Sequence, residues 1–441
     1  MSKNIKNQRA ILQKLGIGQL NPMQQEAQYQ IHANAEVVLL SPTGTGKTIA
    51  FLLPIMAELE HDLEEVQALI LAPSRELAIQ IEQVAREMGT GHKINLAYGG
   101  RSFSKDKTNL KHRPALLIGT PGRLADHLRR HTFPNDYIKT LVLDEFDKSL
   151  EIGFESEMKE IISELGQVQK KILTSATESI AIPDFVKLKQ PVYVNYLAEK
   201  IEQLAIKIIL SPSKDKLETL AETLIQLGDQ AGIIFCNFKD SIRRISAFLF
   251  QKNIPHGCFY GGMEQQERER ALIKFRNGTH QLLLATDLAA RGIDVPEIKF
   301  IIHYHLPLRS QEFTHRNGRT ARMQQDGTAY VLKWKKEDLP DFIEAIKAPI
   351  IRVEQLPQGT KNRRKKWETI MLSSGRKDKI SKGDIVGFFL KQGKLDKEEL
   401  GKIELKQDCA FVAINSQKAA SLLRQLNGER LKKKKVKLSL V

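Results

Sequence analysis

Nine short aliphatic runs recur through the first 360 positions: EVVLLS, ALILAP, ALLIGT, TLVLDE, KILTSA, AGIIFCN, QLLLATD, KFIIHYH and TAYVLKW. Their apolar residues stand together instead of alternating with polar ones. A strand with one wet face alternates, whereas an unbroken run fits a strand buried on both faces, as in parallel sheets covered by helices. Longer amphipathic stretches separate the runs, so the expected fold class is α/β with parallel sheets.

The runs fall into two groups, divided near residues 197–213, where a polar stretch precedes a new strand and a Ser-Pro turn. A second break lies around 348–366, with Pro349, Pro357 and the first basic cluster. At roughly 150 residues per domain a chain of 441 residues holds about three. The boundaries read as two α/β domains at 1–200 and 201–355, a basic linker at 356–366 and a small domain at 367–441. The last reads strand, helix, strand, strand, helix, strand, the β-α-β-β-α-β order of four-stranded RNA-binding sheets.

Charge is concentrated in that small domain. Residues 361–441 carry 22 Lys and Arg against 9 Asp and Glu, a surplus of 13 within the whole-chain net charge of +16. The clusters KNRRKK and KKKKVK attract polyanions through counterion release, which points to nucleic acid. The solvated-tail alternative for the lysine run is countered by VKLSLV, which follows it with strand-like alternation.

The N-terminal MSKNIKNQRAILQKLG lacks the apolar core of a secretory signal, and the apolar stretch IAFLLPIMA is broken by Pro54, so a cytoplasmic protein with no membrane partner is expected. Cys236, Cys258 and Cys409 are far apart, odd in number and without a Cys-x-x-Cys pair, so neither a disulfide framework nor a cysteine zinc site is expected. His303 and His305 would share a strand face, with no carboxylate or thiol pattern to complete a metal site.

Chemistry concentrates where runs end. VVLLSPTGTGKTIAF sets a glycine-rich turn between a strand and a helix: Gly44 and Gly46 let backbone N–H groups close around phosphates, Lys47 reaches the outer phosphates, and the Thr48 hydroxyl can ligate Mg²⁺. Thr43 and Thr45 complete the loop, and Ser41 stands where the strict pattern has glycine. LVLDEFD delivers acids to the carboxyl end of a strand, the crevice where α/β sheets bind ligands. There Asp144 can hold Mg²⁺ through water and Glu145 can deprotonate the attacking water, unless Asp144 merely caps the next helix. HRNGRTAR supplies positive charge for the transferring phosphoryl group through Arg319 and Arg322, which would share a face if helical.

Taken together, SPTGTGKT, PSRELA, Gly99-Gly100, TPGR, DEFD, SAT, QQER, ATDLAARGID and HRNGRTAR make the chain resemble the DEAD-box ATP-dependent RNA helicases over residues 16–322. The resemblance implies two RecA-like domains and ATP and Mg²⁺ as ligands. Gln24 corresponds to the adenine-reading glutamine, and an amide can pair with both N6 and N7 of that base. RNA contacts are implied for Arg75, Gly100, Thr120, Arg123, Gln265, Arg268 and Thr286, with Thr120 as a cap and Pro121 opening a helix whose N-terminus suits a phosphate. Asp147, Ser175, Thr177 and His315 would couple nucleotide state to domain closure. Asp287 and Asp294 would face the cleft, Asp294 on the ribose.

The family carries aromatics where this chain has Ile17 and Asn7, which predicts weaker stacking on adenine. Phe146 replaces the alanine of the family's name and is read as packing. The C-terminal stretch resembles the RRM-like module of the DbpA-type helicases, a group associated with ribosomal RNA and large-subunit assembly. Cys409 fills one stacking position of ordinary RNA-recognition sheets and Phe411 the other, so the basic edge with Lys432, Lys433, Lys434 and Lys435 is the alternative RNA surface. The implied function is an RNA-stimulated ATPase that unwinds short duplexes as a monomer. Its rivals are an ATP-controlled RNA clamp, distinguished by a strand-displacement assay, and a DNA translocase, distinguished by which nucleic acid stimulates hydrolysis.

Overall fold

The five aliphatic runs of the first group, joined by two strands not among them (Ile94–Ala97 and Val192–Asn195), form a seven-stranded sheet: β1 (Glu36–Leu40), β2 (Ala68–Leu71), β3 (Ile94–Ala97), β4 (Leu116–Gly119), β5 (Thr140–Leu143), β6 (Lys170–Ser175) and β7 (Val192–Asn195). Every pairing is parallel, in the order β3-β4-β2-β5-β6-β1-β7. Because successive side chains point to opposite faces, each run feeds two cores. Val37, Leu39, Ala68 and Ile70 pack with Phe51 and Ile81 on one face, and Val38, Leu40, Leu69 and Leu71 with Leu124 and Ile161 on the other. Each such large aliphatic side chain contributes about 1.5–3 kcal/mol when buried relative to exposure, which explains why the central positions of the runs are mostly apolar. The computed structural model describes residues 8–100, 102–177, 181–197, 204–287, 298–320, 326–356, 359 and 366–441.

The second group repeats the scheme. Strands β8 (Leu204–Ser211), β9 (Gly232–Phe235), β10 (Gly257–Phe259), β11 (Leu282–Ala285), β12 (Phe300–His303), β13 (Gly327–Trp334) and β14 (Ile350–Ile351) run parallel in the order β10-β11-β9-β12-β13-β8-β14. Gly232 is required here, since a methyl group on it would overlap the ring of Phe300 on the neighbouring strand.

The last domain has strands β15 (Trp367–Leu372), β16 (Leu400–Leu405), β17 (Ala410–Asn415), β18 (Arg430–Leu431), β19 (Lys434–Lys435) and β20 (Leu438–Leu440). An antiparallel sheet in the order β16-β17-β15-β20 buries Ile370, Leu372, Val412 and Ile414 against Phe388 and Leu422 from the segments that cover one face. The last strand is shorter than expected: of VKLSLV only Leu438–Leu440 joins the sheet, and the lysines before it form the β18–β19 hairpin. The first sheet with its helices is one compact unit, and the second and third sheets together form another. Among the described residues no helix is long and apolar enough to cross a membrane.

Candidate ATP site and nucleic-acid interface

Parallel strands all end on one edge, and in the first sheet that edge is divided by strand order. The carboxyl ends of β5, β6 and β1 lie side by side and carry Asp144-Glu145, Ser175 and the glycine-rich loop. The ends of β3, β4 and β2 form the other half, with Gly100, Thr120 and Arg75 just beyond them.

The loop after β1 closes through left-handed glycines, Gly44 at φ 85° and Gly46 at φ 88°, the second being the N-cap of the helix Lys47–Glu58. Lys47 Nζ donates to the carbonyls of Ser41 at 2.6 Å and Pro42 at 3.0 Å. The Ser41 hydroxyl donates to Thr45 Oγ1 at 2.8 Å, and Thr45 donates onward to the Pro42 carbonyl. Thr43 and Thr48 are half-buried beside this ring of bonds. Gln24 is hydrogen-bonded through both ends of its amide. Its Oε1 accepts from Asn21 N–H in a reciprocal cap of the helix Pro22–Ala33, and its Nε2 donates to the Gly46 carbonyl at 3.2 Å. Its amide thus ties one helix start to the glycine-rich loop. Ile17 packs against the core, and Asn7 lies outside the described residues.

Asp144 does not cap the following helix. The N-cap is Glu145, at φ 46° and ψ 51°, a left-handed conformation that costs a residue with a Cβ about 1–3 kcal/mol. Thr174 on β6, which sequence reasoning missed, holds both acids: its hydroxyl donates to Asp144 Oδ1 at 2.5 Å and accepts from Glu145 N–H at 3.1 Å. Burial pushes the Asp144 carboxyl up to about 7, with the Glu145 charge adding to the rise and Thr174 and Lys47 opposing it. Burial likewise raises Asp147, which accepts from Thr177 Oγ1 at 3.1 Å. Ser175 Oγ accepts from Thr177 N–H and donates to the Thr177 carbonyl, so the two motifs are hydrogen-bonded into one unit. Phe146 is buried in the core, as packing requires.

On the other half of the edge, Arg75 opens the helix Arg75–Met88 with its guanidinium against Gly100, where φ is 88° and a methyl group would strike Nη1. Thr120 occupies the N-cap of the helix Pro121–Arg129, but its side chain makes no capping hydrogen bond. Arg123 Nε donates to the Tyr98 carbonyl at 3.2 Å.

In the second unit Gln265 and Arg268 lie on the helix Gln265–Arg276, with the Arg268 guanidinium 4.9 Å above the Phe259 ring. Thr286 N–H donates to the Phe259 carbonyl. The helix Ser310–Asn317 ends before Arg319, which is buried, while His315 is buried within it. Arg322 and Asp294 lie outside the described residues. Arg316, almost fully buried, grips Asp287 through Nε at 2.6 Å and Nη2 at 2.5 Å. The same guanidinium reaches the His305 carbonyl and Asn237 Oδ1, joining the ends of β11, β12 and β9. Burial holds His303 down to about 3 and His305 down to about 4, so both imidazoles are neutral packing groups.

The family described as DEAD/DEAH box helicase matches residues 21–184, the helicase conserved C-terminal domain residues 215–324, and the DbpA RNA binding domain residues 369–440. The chain is 31% identical to the DEAD-box ATP-dependent RNA helicase RhpA of Helicobacter pylori, over 76% of this chain and 71% of that one. This chain belongs to the DEAD-box ATP-dependent RNA helicases. The helicase is also 29% identical to the ATP-dependent RNA helicase DbpA of Bacillus subtilis, over 99% of this chain and 98% of that one. Among solved structures it is similar to S. cerevisiae Dbp5 bound to RNA and ADP BeF3, with a TM-score of 0.68 at 25% identity over 78% of this chain and 94% of that one.

In this DEAD-box helicase the open face of the C-terminal sheet is covered. Trp367, Thr369 and Met371 of β15 share that face with Ala413 and Phe411 of β17 and Glu404 of β16, opposite the residues that fill the core. Thr369 meets Asn277 Nδ2 at 3.2 Å and Thr279 Oγ1 at 2.8 Å, and Gly278 sits against the Trp367 ring. Arg276 Nη1 donates to Glu404 Oε1 at 3.0 Å. Burial alone would raise Glu404, but Arg276 and Lys406 hold its carboxyl below the usual range. Phe411 is only 6% exposed, so neither stacking position offers an open ring. The lysines of the hairpin divide: Lys432 pairs with Asp384 at 2.6 Å, holding that carboxyl down to about 2, and Lys434 pairs with Asp378 at 2.5 Å. Lys433 and Lys435 are exposed beside them.

Proposed function

We propose that this helicase remodels short duplexes in structured ribosomal RNA during assembly of the large ribosomal subunit, acting in the cytoplasm as a monomer. The observation that carries the reading is the divided edge of the first sheet, where an ATP-type set and an RNA-type set share one rigid scaffold. The ribosomal target is supported by the DbpA-type C-terminal domain and its basic hairpin.

ATP binding draws on the amides of Thr43, Gly44, Thr45 and Gly46, and Lys47 exchanges loop carbonyls for phosphate oxygens. The hydroxyl of Thr48 and the carboxylate of Asp144 form an all-oxygen donor set of the kind Mg²⁺ takes, and the ion supplies charge neutralisation for the phosphates. Glu145 takes the proton of the attacking water, and Arg319, Arg322 and Asp294 act from the second domain once it closes. Arg75, Gly100, Thr120 and Arg123 bind the RNA backbone with Gln265, Arg268 and Thr286. The bonds joining Asp147, Ser175 and Thr177 carry the nucleotide state toward closure, with His315 on the opposing side. Since its sheet face is occupied, the C-terminal domain meets RNA with Lys433 and Lys435, while Lys432 and Lys434 brace the hairpin.

ATP hydrolysis by the full chain, and by a version ending near Leu356, tests this with no nucleic acid, with unstructured RNA and with a large-subunit ribosomal RNA fragment. Selective stimulation by the fragment, lost on truncation, is expected; equal stimulation by every RNA in both proteins refutes the ribosomal assignment. Glu145→Gln retains ATP binding and loses about 10² to 10⁴ in turnover. Full activity in that variant removes the general-base role.

A further inference from the structure

Asp106 has no part in the roles above, yet it is a buried acid that faces Arg123 on the RNA half of the sheet edge. It lies on the helix Phe103–Leu110 and is 3% exposed. Neither carboxylate oxygen has a hydrogen-bond partner among the described residues. A buried carboxylate left that way is costly unless an opposite charge faces it. Arg123 Nε is 3.5 Å from Oδ2, and Nε2 of the fully buried His127 is 3.7 Å from the same oxygen. The Phe103 ring closes the cluster, stacked 4.6 Å from His127 and lying under the guanidinium of Arg130 at 4.4 Å and of Arg123 at 5.7 Å.

We propose that Asp106 is a positioning residue for RNA binding, acting through Arg123. A guanidinium is a rigid plane, so holding Nε between the Asp106 carboxylate and the Tyr98 carbonyl sets the direction of both Nη groups. Tyr98 directly precedes Gly99 and Gly100, so the same contact ties the TPGR helix to the glycine turn. Asp106 thereby orders the arginine before RNA arrives, removing part of the entropy cost of immobilising a long side chain on binding.

This inference rests on the reading that Arg123 contacts RNA. Asp106→Asn keeps the shape and removes the charge. In the full-length protein it is expected to raise the KM for single-stranded RNA about threefold to tenfold, the range set by ordering one such side chain. The KM for ATP and kcat at saturating RNA stay unchanged, and Asp106→Asn adds nothing in an Arg123→Ala background. Where Asp106→Asn lowers the melting temperature, Asp106→Glu, which keeps the charge but displaces it by one methylene, carries the same comparison. An unchanged RNA KM, or an equal rise in the Arg123→Ala background, overturns the positioning role. An Arg123→Ala protein with unaltered RNA KM overturns the reading of Arg123 and this inference with it.

Discussion

Acid should unfold the second unit through His303. This imidazole lies on β12 between Phe235 and Phe313, with Nε2 3.0 Å from Asn317 Oδ1, and burial followed by the Arg316 charge lowers it from 6.5 to about 3. Above about pH 6.5 both the folded and unfolded chains hold a neutral ring, so nothing is gained or lost. As the pH falls below that, the unfolded chain takes a proton that the folded chain refuses, and stability is lost. At about pH 5 the separation from the unfolded pKa is about 1.5 units, or about 2 kcal/mol at 1.36 kcal/mol per unit. His305, lowered to about 4 mainly by burial, adds to the loss in the same direction. The chain's two tryptophans, Trp334 and Trp367, both lie in the second unit, so tryptophan fluorescence during urea unfolding reports on it alone. His303→Gln keeps an amide donor toward Asn317 and cannot titrate. Between about pH 7.5 and pH 5 the wild-type midpoint should fall further than that of the variant by roughly 0.7 M urea, for an m value near 3 kcal/mol/M. Equal shifts in the two proteins would refute the assignment of the lost stability to this buried ring.

The divided lysines predict divided phenotypes. Replacing Lys433 and Lys435 by Ala should weaken RNA binding and lower the slope of log affinity against log salt by about 1 to 2, measured by fluorescence anisotropy across a salt series. Replacing Lys432 and Lys434 instead should loosen the hairpin, seen as faster amide exchange in residues 430–437. At the covered sheet face, Arg276→Ala leaves Glu404 buried without its closest cation, a loss of about 3 kcal/mol for a mostly buried pair, and should red-shift Trp367 emission as the domains part.

Much of the fold and the chemistry was legible in the chain because the signals are local. An aliphatic run without polar interruption needs only its own residues to announce a strand buried on both faces, and Gly44, Gly46 and Lys47 announce a phosphate loop within eight positions. The acids Asp144 and Glu145 follow from the same adjacency, since a strand delivers whatever residue comes next in the chain to the sheet edge. Tertiary structure alone decided the rest, because it depends on partners far apart in sequence. Strand order, set by pairing between distant runs, divided the edge into one half carrying the glycine-rich loop with Asp144 and Glu145 and another carrying Arg75, Gly100 and Thr120. Thr174 became the clamp of Asp144 across 30 positions, and Arg316 the clamp of Asp287 across 29. Lys432 and Lys434 look like Lys433 and Lys435 until folding sets Asp384 and Asp378 beside two of the four. The sheet face that would stack bases is likewise closed by Arg276 and Thr279, residues of another domain. Local sequence states what each side chain can do, but burial and long-range pairing determine which of them is left facing a ligand.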